Sequence, residues 1–220
     1  MPDYSRPAAP GGGLPRSSGF GAHGCPENLT VAITGASGMV FARELLLALE
    51  RDSRVQTVNF IASDNALRVM AEELGITGRG KLLEQLLVEK TQKIQQQNND
   101  DIGANVASGS YPADAMVVIP CSMGTLARIA NGISNKLIER AADVCLKERR
   151  PLVLCVRETP LNKIHIRNMS LAADAGTTIF PLIPAYYTKL ESLEAMAREF
   201  ANRVLAHIGL PQPGAFRWMG

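Results

Sequence analysis

The chain has 220 residues, 46% of them hydrophobic and 20% charged, with a formal net charge of +2. That length supports one well-buried core and falls short of a comfortable two-domain protein. The near-neutral balance gives no footprint for nucleic acid or a membrane surface, and no apolar run approaches the roughly 20 residues that span a bilayer.

Residues 1 to about 27 are rich in Pro, Gly, Ser and Ala and contain Gly11-Gly12-Gly13. Such a composition buries too little surface to order itself and reads as a flexible tail, without the apolar core of a secretory signal. From Leu29 onward short apolar strands alternate with helices, placing one domain over residues 28–220. A strand is predicted over 29–34, then a glycine turn, then a helix over 39–50 with Leu45, Leu46 and Leu49 on one face. A second strand over 55–62 precedes a helix near 65–74. Residues 79–97 read as helical, and the run Gln95 to Asp101 as a solvated helix end or loop. A third strand over 115–119 leads into helices near 125–131 and 135–147. A fourth strand over 151–156, a helix over 164–175, a short strand over 177–180 and a closing helix over 192–208 complete the pattern. Strands alternating with helices predict an open parallel sheet covered on both faces.

Cys25, Cys121, Cys145 and Cys155 form no CxxC pair or regular spacing, which argues against a disulfide framework and for a reducing, cytoplasmic setting. His23, His165 and His207 are scattered and make no metal-ligand set, so no metal site is expected.

In an open parallel sheet, ligands bind at the carboxyl ends of the strands. After the first strand stands Thr34-Gly35-Ala36-Ser37-Gly38, where small residues let backbone N–H groups approach an anion and the next helix presents its positive end. Taken alone, the same spacing also describes a packing turn. It lacks the full GxGxxG pattern, and Asp64 is only a late candidate for the ribose-binding acid, which disfavours a dinucleotide site. After the second strand Ser63 is the first polar residue, and alone it reads as a helix N-cap. The third strand ends in Pro120-Cys121-Ser122-Met123-Gly124-Thr125, a second small, hydroxyl-rich turn. No histidine is placed to activate Cys121, so packing is its better reading. The fourth strand ends in Arg157-Glu158-Thr159-Pro160. Arg140 and Lys147, seven residues apart on a predicted helix, share one face. Converging cations would make a dianion pocket; without convergence they are a solvated stripe.

These segments, together with Ser108-Gly109-Ser110, the run Glu139 to Pro151, Pro184-Ala185-Tyr186-Tyr187 and Arg217-Trp218, run in order from Leu29 to Trp218. As an ordered set the chain resembles the UbiX-type flavin prenyltransferases, once labelled phenylacrylic acid decarboxylases. The resemblance implies a Rossmann-like (flavodoxin-like) three-layer α/β fold. It implies transfer of a dimethylallyl group from dimethylallyl phosphate to N5 and C6 of reduced FMN, without a metal. The product, prenylated FMN, would serve a UbiD-type decarboxylase, as in ubiquinone biosynthesis and aromatic acid decarboxylation. Carried over by motif, Gly35, Ala36, Ser37, Ser63, Ser122, Met123, Gly124, Thr125 and Arg157 would contact the flavin nucleotide. Tyr187 and Arg203, with Lys147 and Arg140, would hold the prenyl phosphate, and Ser37, Glu73, Lys147 and Glu158 would act in the chemistry. The family's members are dodecamers built of trimers, with sites between subunits. Tyr186 departs from the family's usual phenylalanine.

Three other readings compete. Related flavin-dependent cysteine decarboxylases carry Pro-Ala-Ser-Ala-Asn and a catalytic histidine, where this chain has Pro120-Cys121-Ser122-Met123-Gly124. A flavin-storage protein would bind FMN without reacting with the prenyl phosphate. An aromatic acid decarboxylase would act without any partner.

Overall fold

The computed structural model describes residues 24–78, 80–88, 90–186 and 191–216. Its strands are β1 Asn28–Ile33, β2 Thr57–Ala62, β3 Ile94–Gln97, β4 Ala115–Cys121, β5 Leu152–Val156 and β6 Thr178–Ile179. They form one sheet in the order β3-β2-β1-β4-β5-β6, and every neighbouring pair is parallel. The chain winds outward from β1 to β3, then crosses to the other side of β1 to begin β4. The strand order therefore reverses between β1 and β4, where a doubly wound sheet opens a crevice at its carboxyl edge.

Alternation along each strand divides the core into two layers. In β4, Ala115, Val117 and Ile119 join one apolar cluster while Met116 and Val118 join the other. The first layer is covered by α1 Met39–Arg51, α2 Asp64–Leu74, α3 Leu82–Leu87 and α7 Leu193–His207. Phe200 of α7 meets Phe41 of α1 edge to face at 5.3 Å, and Phe180 beyond β6 meets it the same way. The second layer is covered by α4 Met123–Ala130, α5 Leu137–Lys147 and α6 Lys163–Asp174.

Two boundaries differ from the sequence-based expectation. Residues 79–97 are not one helix: α3 occupies six residues, and β3 pairs in parallel with β2 from Val58↔Ile94 to Ile61↔Gln97. As the edge strand, β3 buries Ile94 while exposing Gln95 and Gln96. Polar residues suit an edge that must not recruit a further strand, and they mask the strand signal. At the other end, Cys25 and Pro26 are buried and Glu27 O accepts from Gln56 N and Thr57 N. Ordered packing thus begins before the expected tail ends; residues 1–23 lie outside the described residues.

The crossover from β3 to β4 carries only the short 3-10 turn Asn105–Ala107 and is held by polar contacts. Asn59, fully buried in β2, donates to Asn28 Oδ1 and Tyr111 Oη and accepts from Gln97 Nε2 and Asn105 Nδ2. A buried amide satisfied on both sides fixes one arrangement of the segment.

Candidate functional site

Four strand-end turns meet at the carboxyl edge, and hydrogen bonds join them. Thr34 Oγ1 donates to Pro120 O at 2.9 Å and accepts from Ser122 N at 2.8 Å. Ser63 N donates to Ile33 O, and Arg157 N donates to Cys121 O. Pro120 interrupts a central strand, and β4 shifts register between Val118 and Cys121. A residue without an N–H fits there because the bulge takes it out of the ladder.

Small residues are required in the first turn. A Cβ on Gly35 would run into Asn65 at the start of α2, and Gly38, at φ +113, would meet Leu182 Cδ2 at 2.6 Å. Ser63 and Ser122 cap α2 and α4, each accepting from the backbone N–H three residues on. Gly38 has no side chain with which to cap α1. Glu73, from the last turn of α2, supplies the cap: both carboxylate oxygens accept from Gly38 N at 3.1 Å, and one accepts from Met39 N at 2.8 Å. A phosphate at that helix end would meet an anion already seated there. The hydroxyl-capped helix ends beside it are those of α4 and of α2, whose first residue is the acid Asp64.

Gly35, Ala36, Ser37, Ser63, Ser122, Met123, Gly124, Thr125 and Arg157 therefore lie in adjoining turns, with Glu73 and Glu158 beside them. Glu158 is exposed, and its Oε1 accepts from Thr159 N. Cys121 is fully buried, and burial pushes its thiol up to about 12, so it supplies no thiolate at neutral pH.

Of the cations expected at the prenyl phosphate, Lys147 does not join this group within one chain. Lys147 lies in the last turn of α5, where the chain returns toward the amino end of β5. It is half-exposed, paired with Glu148, and lies against Gly109. Arg140 donates to Ala107 O and pairs with Asp143 at 2.7 Å. Arg203 lies on α7 on the β6 side of the sheet, its guanidinium 5.9 Å from the centre of the Phe180 ring, and Leu182, two residues beyond Phe180, lies against Gly38. It borders a cavity of about 280 Å³ lined by Ile179, Phe180, Pro181 and Ile183. An apolar cavity with one cation suits a short hydrocarbon chain carrying phosphate. Tyr187, Arg217 and Trp218 lie outside the described residues. Among the described residues no group of three His, Cys, Asp or Glu side chains is arranged to hold a metal ion, and no helix is long and apolar enough to cross a membrane.

Thr34 heads the predicted turn, but sequence patterning gives its hydroxyl no part in joining the turns, because its place at the end of an apolar run reads as strand. The signal available was a hydroxyl residue immediately before a glycine turn.

Comparison with known proteins places this geometry. The family model described as Flavoprotein matches residues 23–202. The flavin prenyltransferase UbiX of Pseudomonas aeruginosa is 40% identical over 199 residues, covering 88% of this chain and 94% of that protein. The crystal structure of AnUbiX in complex with FMN and dimethylallyl pyrophosphate superposes with a TM-score of 0.79 at 39% identity, covering 89% of this chain and 98% of that one. A dodecameric FMN-dependent UbiX-like decarboxylase from Escherichia coli O157:H7 gives the same TM-score at 37% identity, over 88% of this chain and all of that one.

Proposed function

The chain belongs to the flavin prenyltransferase family, within the wider flavoprotein family, and from that premise we propose that it joins a dimethylallyl group to reduced FMN. The observation that carries the proposal is the joined set of four strand-end turns at the β1/β4 crevice, matched to a neighbour whose structure contains FMN and a dimethylallyl donor.

The residues present fit a flavin mononucleotide. The glycines at Gly35 and Gly38 let Asn65 and Leu182 pack tightly against the turn, which fixes its backbone at the crevice. The hydroxyl-capped ends of α2 and α4 suit its phosphate, because unpaired N–H groups and the helix dipole both favour an anion. With Glu73 on the end of α1, the Gly35 turn faces the ring and Ser37 its reacting edge. Reduced FMN, as substrate, offers N5 and C6 as the two bond-forming atoms.

Bond formation at N5 breaks the allylic C–O bond of the donor, and phosphate leaves with the electron pair. Lys147, Arg140, Arg203 and Tyr187 stabilise the departing charge, which removes the need for a metal. The apolar wall beside Arg203 excludes water from the allylic carbon. The proton displaced at N5 leaves with the phosphate; closure adds a proton to the remaining prenyl double bond, joins the resulting cation to C6 and releases the C6 proton, and Glu158 shuttles that proton.

Lys147, at the far end of α5, reaches the site from a neighbouring subunit. α6 supports an assembly of that kind: it buries only Asn168 and Ala172 within the chain. It leaves Ile164 and Ile166 more than half exposed, with Leu161 just before it 46% exposed. A patch of this kind marks a protein interface. We take the assembly to be the dodecamer of the family and the product's recipient to be a UbiD-type decarboxylase. The decisive experiment is anaerobic incubation with reduced FMN and dimethylallyl phosphate, followed by mass measurement of the flavin. Gain of one isoprenyl unit is expected; unchanged flavin overturns the proposal, and release of carbon dioxide from an aromatic acid by the purified protein alone favours the decarboxylase reading.

A further inference from the structure

A polar turn at the amino edge of the sheet is held from three sides. Arg140 Nε donates to Ala107 O at 3.1 Å, and Arg150 Nη2 donates to Gly109 O at 2.7 Å. Just beyond, Tyr111 Oη accepts from the buried Asn59 amide and donates to Asn28 Oδ1. Between these anchors Ser108 Oγ and Ser110 Oγ lie 2.9 Å apart in a hydrogen bond, and Ser110 N donates to Ser108 Oγ.

Lys147 lies on this turn. A Cβ on Gly109 would collide with Lys147 Nζ and Glu148 Oε1, so it is a glycine that lets the lysine head rest against the backbone. Little else holds the lysine: its side chain is 46% exposed, and its partner Glu148 is an exposed neighbour in the chain. A free lysine side chain samples many rotamers, and ordering it on a departing phosphate costs entropy. A rigid wall along one side removes part of that freedom before the substrate arrives.

The way α5 ends brings Arg150 to the wall. Arg150 N donates to Cys145 O and Arg149 N to Leu146 O, a closure with Arg149 at φ +57, where glycine is usual. The chain thereby turns back beneath the helix, and the Arg150 guanidinium meets Gly109 O. Its Nη1 is buried and has no hydrogen-bond partner among the described residues. A buried unpaired donor is costly. Packing alone, which an apolar side chain would serve, therefore does not account for Arg150.

We propose that Arg150 is a positioning residue for prenyl transfer: through Gly109 O it holds the Ser108–Ser110 turn against Lys147, keeping that charge aimed at the donor phosphate of a neighbouring subunit. The inference rests on the prenyl-transfer reading above and on the part Lys147 plays in it. Arg150 touches neither donor nor flavin; it acts through the turn.

The test measures transfer by the intact oligomer under anaerobic conditions, with dimethylallyl phosphate varied at saturating reduced FMN. Arg150→Met keeps the aliphatic stem and removes the donor to Gly109 O. kcat/KM for dimethylallyl phosphate should fall about tenfold, and by no more than Lys147→Ala costs, because only the pre-setting of the lysine is lost. FMN affinity, titrated by quenching of flavin fluorescence, should not change. In a Lys147→Ala background the substitution should have no further effect, because the group it positions is gone. Arg150→Lys, which still carries a donor for Gly109 O, should recover most of the loss. Gly109→Ala reaches the same lysine from the other side: its Cβ meets the ends of flexible side chains, so assembly is kept while transfer falls. Unchanged kcat/KM in Arg150→Met or in Gly109→Ala, or a loss that multiplies with that of Lys147→Ala, would overturn the inference while prenyl transfer stands. Failure of Arg150→Met to assemble, read by size-exclusion chromatography, would overturn it too, since the anchor would then serve the fold. No transfer by the unaltered protein would overturn both.

Discussion

The hydroxyl of Thr34 bridges the two strands at which the sheet reverses, donating to Pro120 O and accepting from Ser122 N. Thr34 is 1% exposed, and Pro120 O keeps the Thr34 N–H at 3.2 Å if the hydroxyl is removed, so the group left without its partner is Ser122 N. Thr34→Val keeps the shape and deletes both bonds. A loss of about 1–3 kcal/mol in stability is expected, measured by urea denaturation, together with weakened FMN binding because Ser122 N, at the head of α4, loses its partner. Thr34→Ser should retain both properties. A stable Thr34→Val protein with unaltered FMN affinity would refute the bridging role.

Gly35 is set against Asn65 so closely that no Cβ fits. Gly35→Ala must move α2 relative to the turn, and α2 carries both Ser63 and Glu73 into the site. FMN affinity should fall at least tenfold, read by the same titration, with a smaller change in melting temperature. Wild-type affinity in this variant would show that the turn has room to spare and that its glycine serves packing alone.

The sheet and the strand-end turns were legible because buried parallel strands read as unbroken apolar runs and their turns as small polar clusters. β3 was not: Gln95, Gln96 and Gln97 have no apolar signature, since an edge strand beside β2 has solvent on its far side. Family motifs located the cations Arg140, Lys147 and Arg203, but nothing in their spacing tells that Lys147 lies away from the Gly35 turn of the same chain. That separation comes from topology, because a helix returning between parallel strands brings its last turn, here that of α5, to the amino edge. Arg150 and Thr34 act through hydrogen bonds across turns far apart in sequence, for which composition carries no signal.

Asp52 fastens the end of α1 to the C-terminal segment, accepting from Arg54 Nε and Nη2 and from Gln212 Nε2. Its hydrogen bond with the Arg54 guanidinium holds its carboxyl down at about 2, below the ordinary 3.8. A depressed carboxylate contributes stability that is fully present above its unfolded value and lost as the pH falls through the folded one. Asp52→Asn should therefore cost about 1 kcal/mol at pH 6, and the difference from wild type should shrink between pH 4 and pH 2. Urea midpoints across that range check it; a difference independent of pH would place the effect in packing.

Lys147 is the sharpest test of a shared site. Its place at the far end of α5 leaves the Gly35 turn of its own chain intact, so Lys147→Ala should bind FMN normally. Prenyl transfer should slow about tenfold to a hundredfold, the loss of one charged hydrogen bond to the departing phosphate. Glu73→Gln, altered at the opposite side of the site, should also be impaired. If each site draws Lys147 from one subunit and Glu73 from another, oligomers reassembled from a mixture of the two variants contain some sites with both residues intact. Partial transfer activity should then return on mixing, although neither parent is active. If mixed oligomers form and stay inactive, both residues come from one chain, and α5 must move to bring Lys147 to its own flavin.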